Sequence, residues 1–185
     1  MFHRLYASLA SVTLLLAASC TTAGETPASP AAIIVPMTLV SASGAGASIG
    51  DITLRNGAAG VALALHLHGL PPGDHGFHLH GAGSCAAAAN ASGEMTAAGG
   101  AGGHFDPANT GHHEGPNGAG HLGDLPVLHV GADGSASQVL IAPHLRSIVE
   151  LRGHALVIHA GGDNYSDTPA PLGGGGARIA CGVVS

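Results

Sequence analysis

The chain has 185 residues, a formal net charge of −6 and only 5 Lys and Arg residues. This length fits one domain. The scarcity of positive charge argues against nucleic acid as a partner, because such affinity depends on Lys and Arg at phosphates. Aromatic residues make up only 3% of the chain, so a core has to be built from Val, Leu, Ile and Ala. The 14 histidines are the feature that needs an explanation.

Residues 1–19 have the pattern of a secretory signal peptide, with Arg4 before an apolar run that is too short to span a membrane. Cys20 follows small residues, as in the lipobox of bacterial lipoproteins. The pattern predicts an exported protein of the periplasm or cell envelope, held at a membrane by lipid on Cys20. Ordinary cleavage nearby and a soluble product is the alternative. Residues 20–32 read as a flexible tether, and 33–185 as the folded domain.

If Cys20 carries lipid, two cysteines remain, Cys85 and Cys181. In an oxidising compartment an isolated pair is most simply a disulfide. On the chain-entropy model, closing a loop of this size contributes roughly 4 kcal/mol. Two separate buried thiols are the alternative.

The segments that follow the tether have the pattern of strands. "VALALHLHGL" at 61–70 alternates strictly between its two faces, which predicts a half-buried antiparallel strand. "GFHLHG" resumes the alternation after a turn. Further strands are predicted at 33–42, 48–55, 127–130, 135–141, 155–159 and 178–184. The segment 143–153 fits either a helical turn or a loop.

Several short strands with glycine-rich turns predict an all-β sandwich or barrel. Two connections, 81–126 and 160–177, are too long to be hairpins. Long loops without regular structure are usually functional in a compact domain. Both of these adjoin histidines.

Alternate residues of a strand share a face, so His78 and His80 can offer two imidazoles to one ion. Since Phe77 and Leu79 would pack inward, the ion would lie outside the barrel. Imidazole is a ligand for copper and zinc, and a carboxylate completes a tetrahedral zinc site. Further candidate ligands are His159 at a strand end and, in the first long loop, His104, His113, His121 and Asp124.

Five motifs resemble those of the Cu,Zn superoxide dismutase family, in the family's order: "GFHLHGAGSC", "GGHFDP", "HEGPNGAGHLGDLP", "LVIHAGGDN" and "PLGGGGARIACGV". The resemblance covers about residues 33–185, and "HAGGDN" and "PLGGGGAR" are similar to the bacterial periplasmic branch. It implies an eight-stranded antiparallel Greek-key barrel or sandwich with two long functional loops. It also implies one copper and one zinc ion per subunit.

The resemblance assigns a role to each matching residue. The copper ligands it implies are His78, His80, His104 and His159, and the zinc ligands are His104, His113, His121 and Asp124. His104 thereby bridges the two metals. Asp163 matches an aspartate that hydrogen-bonds one histidine of each site, Arg178 matches the arginine beside copper, and Cys85 and Cys181 match the family's disulfide.

The implied activity is that of an oxidoreductase that converts superoxide to O2 and H2O2 and defends against extracytoplasmic superoxide. Copper would be reduced and reoxidised in turn, and zinc would order the loop. His104 would donate a proton to the second superoxide, and Arg178 would attract the anion. The loop after His159 has no lysine, so substrate attraction would rest more on Arg178 than in some relatives.

Two other functions compete with this one. A dismutase-like domain without turnover would carry copper or zinc, but such proteins typically lack a copper ligand or the arginine. A structural β domain at the cell surface would need zinc alone. The family motif assigns zinc to His113 and leaves the adjacent His112 exposed, and His66 and His68 are predicted to face solvent. Monomer and homodimer both remain open.

Overall fold

The computed structural model of the chain describes Met1 and residues 31–185. The predicted signal peptide, Cys20 and most of the predicted tether lie outside the described residues. Within the described part, no helix is long and apolar enough to cross a membrane. The strands are β1 (Ile33–Ser41), β2 (Gly44–Gly57), β3 (Gly60–Leu67), β4 (Gly73–His75), β5 (Phe77–His80), β6 (Ala88–Ala89), β7 (Met95–Thr96), β8 (Leu128–Val130), β9 (Val139–Ala142), β10 (Ala155–His159) and β11 (Arg178–Val183).

Each predicted strand has an observed counterpart, and the largest shifts are at the start of β2, which begins at Gly44, and at the start of β9. The shift at β9 has a local cause. This strand begins at Val139, because a turn in which Gly131 N–H donates to the Ser135 carbonyl occupies the start of the predicted segment. The ambiguous segment 143–153 contains a short 3-10 helix, Ile148–Leu151. Ser147 caps it, since the hydroxyl accepts a hydrogen bond from Val149 N–H. Two further 3-10 turns are Gly99–Ala101 and Leu172–Gly174.

The strands form an antiparallel Greek-key barrel. Seven strands make one sheet in the order β5-β10-β11-β1-β2-β3-β9, and β4 pairs with β8. Only Gly76 separates β4 from β5, so the two count as one strand and β8 becomes its neighbour. This gives eight barrel strands in which β3 lies beside β9 and β1 beside β11. The predicted fold class is therefore confirmed.

The barrel core is aliphatic, as the composition predicted. On β3 the inward residues Val61, Leu63, Leu65 and Leu67 are at most 2% exposed, which confirms the alternation read from the sequence. β10 is buried on both faces. Leu156 and Ile158 join the barrel core, whereas Ala155 and Val157 pack with Ala98, Ala101 and Cys181 in a smaller cluster. The first long loop therefore covers the outer face of β10.

That loop is attached to the barrel at several points. The disulfide Cys85–Cys181 joins it to β11, with a Cα–Cα distance of 5.7 Å. The small hairpin β6–β7 lies within it. Farther along, Phe105 N–H donates to the Leu79 carbonyl at 2.8 Å, and Leu79 N–H donates to the Gly123 carbonyl at 2.9 Å. The loop thus takes up the edge of β5 that β10 leaves free and places its own histidines beside those of the strand.

Candidate metal centre

Four imidazoles meet where β5, β10 and the first long loop come together. His78 and His80 project from β5, His159 ends β10, and His104 lies in the loop. One nitrogen of each lies within 4.8 Å of one nitrogen of every other. As predicted, the cluster is outside the sheet, opposite Phe77. It is nonetheless buried, because the loops cover it: His78 is 0% and His80 1% exposed.

Hydrogen bonds fix which nitrogen of each ring carries the proton. His80 Nδ1 lies 2.9 Å from the Gly102 carbonyl and His159 Nδ1 lies 3.1 Å from the Gly176 carbonyl. A carbonyl only accepts, so each Nδ1 must donate and each Nε2 is left with a lone pair. These two Nε2 atoms face each other at 3.4 Å. Two lone pairs aimed at one point fit a cation between them.

A second cluster surrounds the carboxylate of Asp124, which is 4% exposed. Its Oδ1 lies 2.9 Å from His104 Nδ1 and 3.3 Å from His121 Nδ1, and its Oδ2 lies 3.0 Å from His113 Nδ1. Three imidazole nitrogens and one carboxylate are the donor set of a tetrahedral zinc site. The structure therefore brings together all four residues that the resemblance assigned to zinc.

His104 belongs to both clusters. Its Nδ1 faces Asp124, while its Nε2 is buried without a hydrogen-bond partner. The ring stacks on His78, with centroids 3.9 Å apart, and the side chain is 1% exposed. A buried ring nitrogen without a partner is costly unless something binds it. The geometry fits one imidazole that offers a nitrogen to each of two metals.

Asp163 links the two clusters from the second long loop. Its Oδ2 accepts from His78 Nε2 at 2.8 Å and its Oδ1 accepts from His113 Nε2 at 2.8 Å. Desolvation would raise the pKa of Asp163, but the hydrogen bonds from His113 and His78 hold it well below its usual range. Both histidines thus donate from Nε2, which leaves His78 Nδ1 without a hydrogen-bond partner and His113 Nδ1 facing Asp124 Oδ2 at 3.0 Å. The charged Asp163 orients one ring of each cluster.

The protonation states of three cluster histidines suit metal binding. Burial lowers the pKa of His80 to about 2, of His159 to about 3 and of His104 to about 4. These rings are therefore neutral at pH 7, which is the form that binds a metal. For His113, burial acts in the same direction, but Asp124 and Asp163 outweigh it and raise the pKa to about 9. In the metal-free chain the proton on His113 takes the place of a cation beside two carboxylates.

Arg178 lies at the start of β11, beside the all-histidine cluster. Its guanidinium donates to the carbonyls of Ala98 and Gly102, both at 2.6 Å. The Gly102 carbonyl also accepts from His80, so Arg178 and a cluster histidine donate to the same oxygen. It also lines a cavity of about 230 Å³. A cation there can attract an anion toward the cluster.

The two members of the histidine doublet have opposite environments. His113 is 2% exposed and lies in the cluster around Asp124. The His112 side chain is 73% exposed, with its Nδ1 3.9 Å from Asp167. The chain at Gly120 passes close to the doublet, since a side chain there would collide with the His112 carbonyl. Of the doublet, the structure thus places His113 in the cluster and His112 outside it.

The remaining described histidines stay outside both clusters. His66 and His68 are exposed, as predicted. His75 is buried, where its ring nitrogens lie 2.7 Å from the His159 carbonyl and 2.8 Å from the Pro71 carbonyl. His75 therefore has a structural role. The others are His129, which pairs with Asp74 at 2.8 Å, and the peripheral His144 and His154.

Sequence reasoning missed the groups that orient the ligands through the main chain. The carbonyls of Gly102 and Gly176 select the ring tautomers, and a carbonyl has no signature in the sequence. Asp167 was also missed, although it accepts the His113 backbone N–H at 3.0 Å. The signal that points to it is the "NYSDTP" stretch, in which turn-forming side chains follow one another.

Comparison with known proteins agrees with this geometry. A family model described as copper/zinc superoxide dismutase (SODC) matches residues 48–184. Over 177 residues, the chain is 53% identical to Cu-Zn superoxide dismutase 2 of Salmonella typhimurium, which covers 96% of this chain and 97% of that one. The Cu-Zn superoxide dismutase of Escherichia coli K12 is 50% identical over the same share of both chains.

Solved structures are similar over the described barrel. A Cu/Zn superoxide dismutase from Brucella abortus has a TM-score of 0.81 and 45% identity, and covers 83% of this chain and 99% of its own. The monomeric copper, zinc superoxide dismutase from Salmonella enterica has a TM-score of 0.75 and 54% identity, and covers 84% of this chain and 100% of its own. The similarity thus extends over whole relatives.

Proposed function

The chain belongs to the copper/zinc superoxide dismutase family, and we propose that its two histidine clusters are the copper and zinc sites of the active centre. The protein is an oxidoreductase that converts two superoxide anions and two protons into O2 and H2O2, with copper and zinc as cofactors. The observation that supports this assignment best is His104, which turns one nitrogen toward each cluster.

Copper would be held by His78, His80, His104 and His159. Zinc would be held by His104, His113, His121 and Asp124. Copper supplies the one-electron chemistry by alternating between two oxidation states, whereas zinc has no redox chemistry and orders the loop. Three of the copper-cluster rings have their second nitrogen bonded to Gly102, Gly176 or Asp163. Their lone pairs are therefore aimed before any metal arrives.

His104 and Arg178 are the residues we assign to the reaction itself. His104 Nε2 is buried and without a partner, so it is the atom that would hold the proton taken up by the second superoxide. Arg178 would draw the superoxide anion toward the four-histidine cluster, since it donates to the same Gly102 carbonyl as His80. Replacing Arg178 with Ala is expected to lower the rate and to weaken its dependence on ionic strength. An unchanged rate at low salt would contradict this role.

We further propose that the protein is exported to the periplasm or cell envelope and anchored to a membrane by lipid on Cys20. The disulfide Cys85–Cys181 supports export, because such bonds persist in oxidising compartments. The lipid-modified protein should partition into the detergent phase, and the Cys20→Ala variant should stay in the aqueous phase. A chain of wild-type sequence that stays in the aqueous phase would contradict the anchor. Gel filtration would decide between monomer and homodimer, the two states left open.

The histidine doublet provides the test of the site. The purified protein is expected to contain one copper and one zinc ion per chain and to inhibit superoxide-driven dye reduction. His113→Ala should lose zinc, because it removes one of four donors, whereas His112→Ala should keep both metals and the activity. Full metal content without activity would refute the catalytic assignment. Zinc lost from His112→Ala alone would show that the ligand assignment is off by one residue.

A further inference from the structure

Asp167 lies in the second long loop, and its carboxylate ties that loop to the first. Oδ2 accepts the backbone N–H of His113 at 3.0 Å. Oδ1 accepts the backbone N–H of Leu172, farther along the second loop, at 3.2 Å. One side chain therefore holds the main chain of a zinc-cluster histidine and the turn Leu172–Gly174 at the same time.

The turn that Asp167 holds has an unusual backbone. Leu172 has a φ of 55° and Gly173 a φ of 72°, and a residue with a side chain adopts the first of these values only at a cost. A hydrogen bond to the Leu172 N–H stabilises this conformation. Leu172 is 42% exposed, so packing of its side chain does little to stabilise the left-handed conformation.

The turn presents Gly173 directly to the hydrogen bond between Asp163 and His113. A Cβ at residue 173 would collide with Asp163 Oδ1 and come within 2.9 Å of His113 Nε2. The backbone at this point therefore covers the hydrogen bond, and both of its side chains are 0% exposed. Water that reached it would compete for the donor and the acceptor.

The two aspartates of the second loop thus act on different parts of His113. Asp163 accepts from the ring at Nε2, and Asp167 accepts from the main chain. Together they fix both ends of the side chain whose Nδ1 faces Asp124. The contact between the Tyr165 hydroxyl and Val127 N–H at 3.0 Å, also made by this loop, involves no cluster histidine.

We propose that Asp167 is a positioning residue of the zinc site: it aims His113 by holding its main chain, and it keeps water from the Asp163–His113 hydrogen bond by holding the turn at 172–174. This inference rests on the proposed zinc site. Its consequence is that zinc should leave faster when Asp167 is replaced, although Asp167 does not touch the metal.

The test is the rate at which the metal-loaded, full-length protein gives up zinc to an excess of EDTA. Loss of residues that hydrogen-bond metal ligands commonly weakens metal binding about 10–100-fold, so Asp167→Ala should release zinc at least about tenfold faster than wild type. Asp167→Asn keeps one acceptor oxygen and should fall between the two. If Asp167→Ala does not fold, the rate of zinc release from Asp167→Asn tests the proposal in its place.

Asp106→Ala is the matched control, because this aspartate makes the same kind of contacts in the first loop. It accepts from Thr110 Oγ1 at 3.1 Å and from Gly111 N–H at 2.9 Å, but it reaches neither a cluster histidine nor the second loop by a hydrogen bond. Its zinc release should stay within about twofold of wild type. Equal release from the Asp167 and Asp106 variants would overturn the proposal.

Cobalt placed in the zinc site provides a second readout. The visible spectrum of Co2+ depends on ligand geometry, so it should shift in Asp167→Ala if His113 has moved and stay unchanged if the loop has only become looser. An unshifted spectrum would refute the positioning role. If His113→Ala also retained its zinc, the site assignment itself would fail. Zinc loss in His113→Ala with normal release in both Asp167 variants would refute this inference alone.

Discussion

The sequence His-Leu-His occurs twice, at the end of β3 and in β5, with opposite outcomes. In β3 the His66 side chain is 63% exposed, and its nearest charged partner is Asp51 at 3.6 Å. In β5, His78 and His80 are at most 1% exposed and belong to the four-histidine cluster. The leucine between each pair packs into the same barrel core. The two His-Leu-His segments therefore have the same local pattern, and they differ in the parts of the protein that surround them.

The difference lies in what pairs with each strand. β3 has β2 on one side and β9 on the other, and the segment before β9 continues this pairing at Leu67 through Ala136, so no edge is left for the first long loop. β5 has only β10 within its sheet, and the first long loop supplies hydrogen bonds to its second edge from residues near 103–105 and 123. A free edge invites such pairing. The loop that covers this edge of β5 places His104 and Asp124 beside His78 and His80, so the two strand histidines become part of a cluster.

The largest effect is expected when the β5 pair is broken. His80→Ala removes a nitrogen aimed at copper and leaves His159 Nε2 without its counterpart, 3.4 Å away. Since loss of partners beyond the ligands already costs about 10–100-fold, loss of a ligand should lower activity by more than about 100-fold. Copper analysis and a superoxide-driven dye assay measure both. Retained copper with normal activity would remove His80 from the site.

Much of this could be predicted from the sequence. Alternation placed Phe77 and Leu79 inward and the β5 histidines outward, and the family motifs named every residue that the clusters contain. Motif register also separated His113 from His112, which spacing in a glycine-rich loop could not do. The ends of β1 and β10 were predicted to within one residue, whereas β2 and β9 each begin four residues from the predicted start and β4 lies in the segment predicted as a turn.

Other features depend on tertiary contacts and carry no local signal. The alternation at β5 indicated an outer face, but nothing in it indicated that 81–126 would bury that face. The carbonyls of Gly102 and Gly176 select ring tautomers through main-chain atoms that every residue has. Asp167 acts across the two loops, so its partner Leu172 and its partner His113 become neighbours only in the folded chain.

The second effect tests whether the loop makes the difference between the pairs. Cys85→Ala with Cys181→Ala releases the covering loop from β11, across a sequence separation of 96 residues. Removing such a bond typically costs about 2–5 kcal/mol, so the free energy of unfolding in urea should fall by that amount and the urea midpoint should fall with it. Relative to wild type, amide exchange should accelerate at residues 77–80, which the loop covers, more than at 61–67, which it does not cover. An equal change at both segments would show that the disulfide does not keep β5 buried.

The third effect concerns acid and the metal-free protein. Burial holds the folded pKa of His159 at about 3 and of His104 at about 4, below the ordinary value of 6.5. The unfolded chain therefore binds protons that the folded chain does not, and stability that is present above pH 6.5 is lost as the pH falls toward 3. His113 has the opposite sign, since its pKa is raised to about 9, and its contribution is lost as the pH rises through 9.

The metal-free protein should thus be most stable near pH 6.5. Its free energy of unfolding in urea should fall by at least about 1 kcal/mol between pH 6.5 and 5, since one group shifted by one pKa unit already accounts for about 1.4 kcal/mol. The metal-loaded protein should resist longer, because metal competes with protons for the same nitrogens. A metal-free protein with a flat profile over this range would contradict the burial of these rings in the absence of metal.

The smallest effect is expected at the β3 pair, and it completes the comparison. His66→Ala with His68→Ala removes two exposed imidazoles but leaves Leu67, which is 2% exposed, in the core. Surface substitutions of this kind usually change stability by less than about 0.5 kcal/mol, and the contact with Asp51 at 3.6 Å is too exposed to add much. Copper, zinc and activity should stay at wild-type values, measured beside His80→Ala. If the β3 variant lost metal or activity, the His-Leu-His pair of β3 would contribute to metal binding without a covering loop. The loop that covers β5 would then not be what distinguishes the two strands.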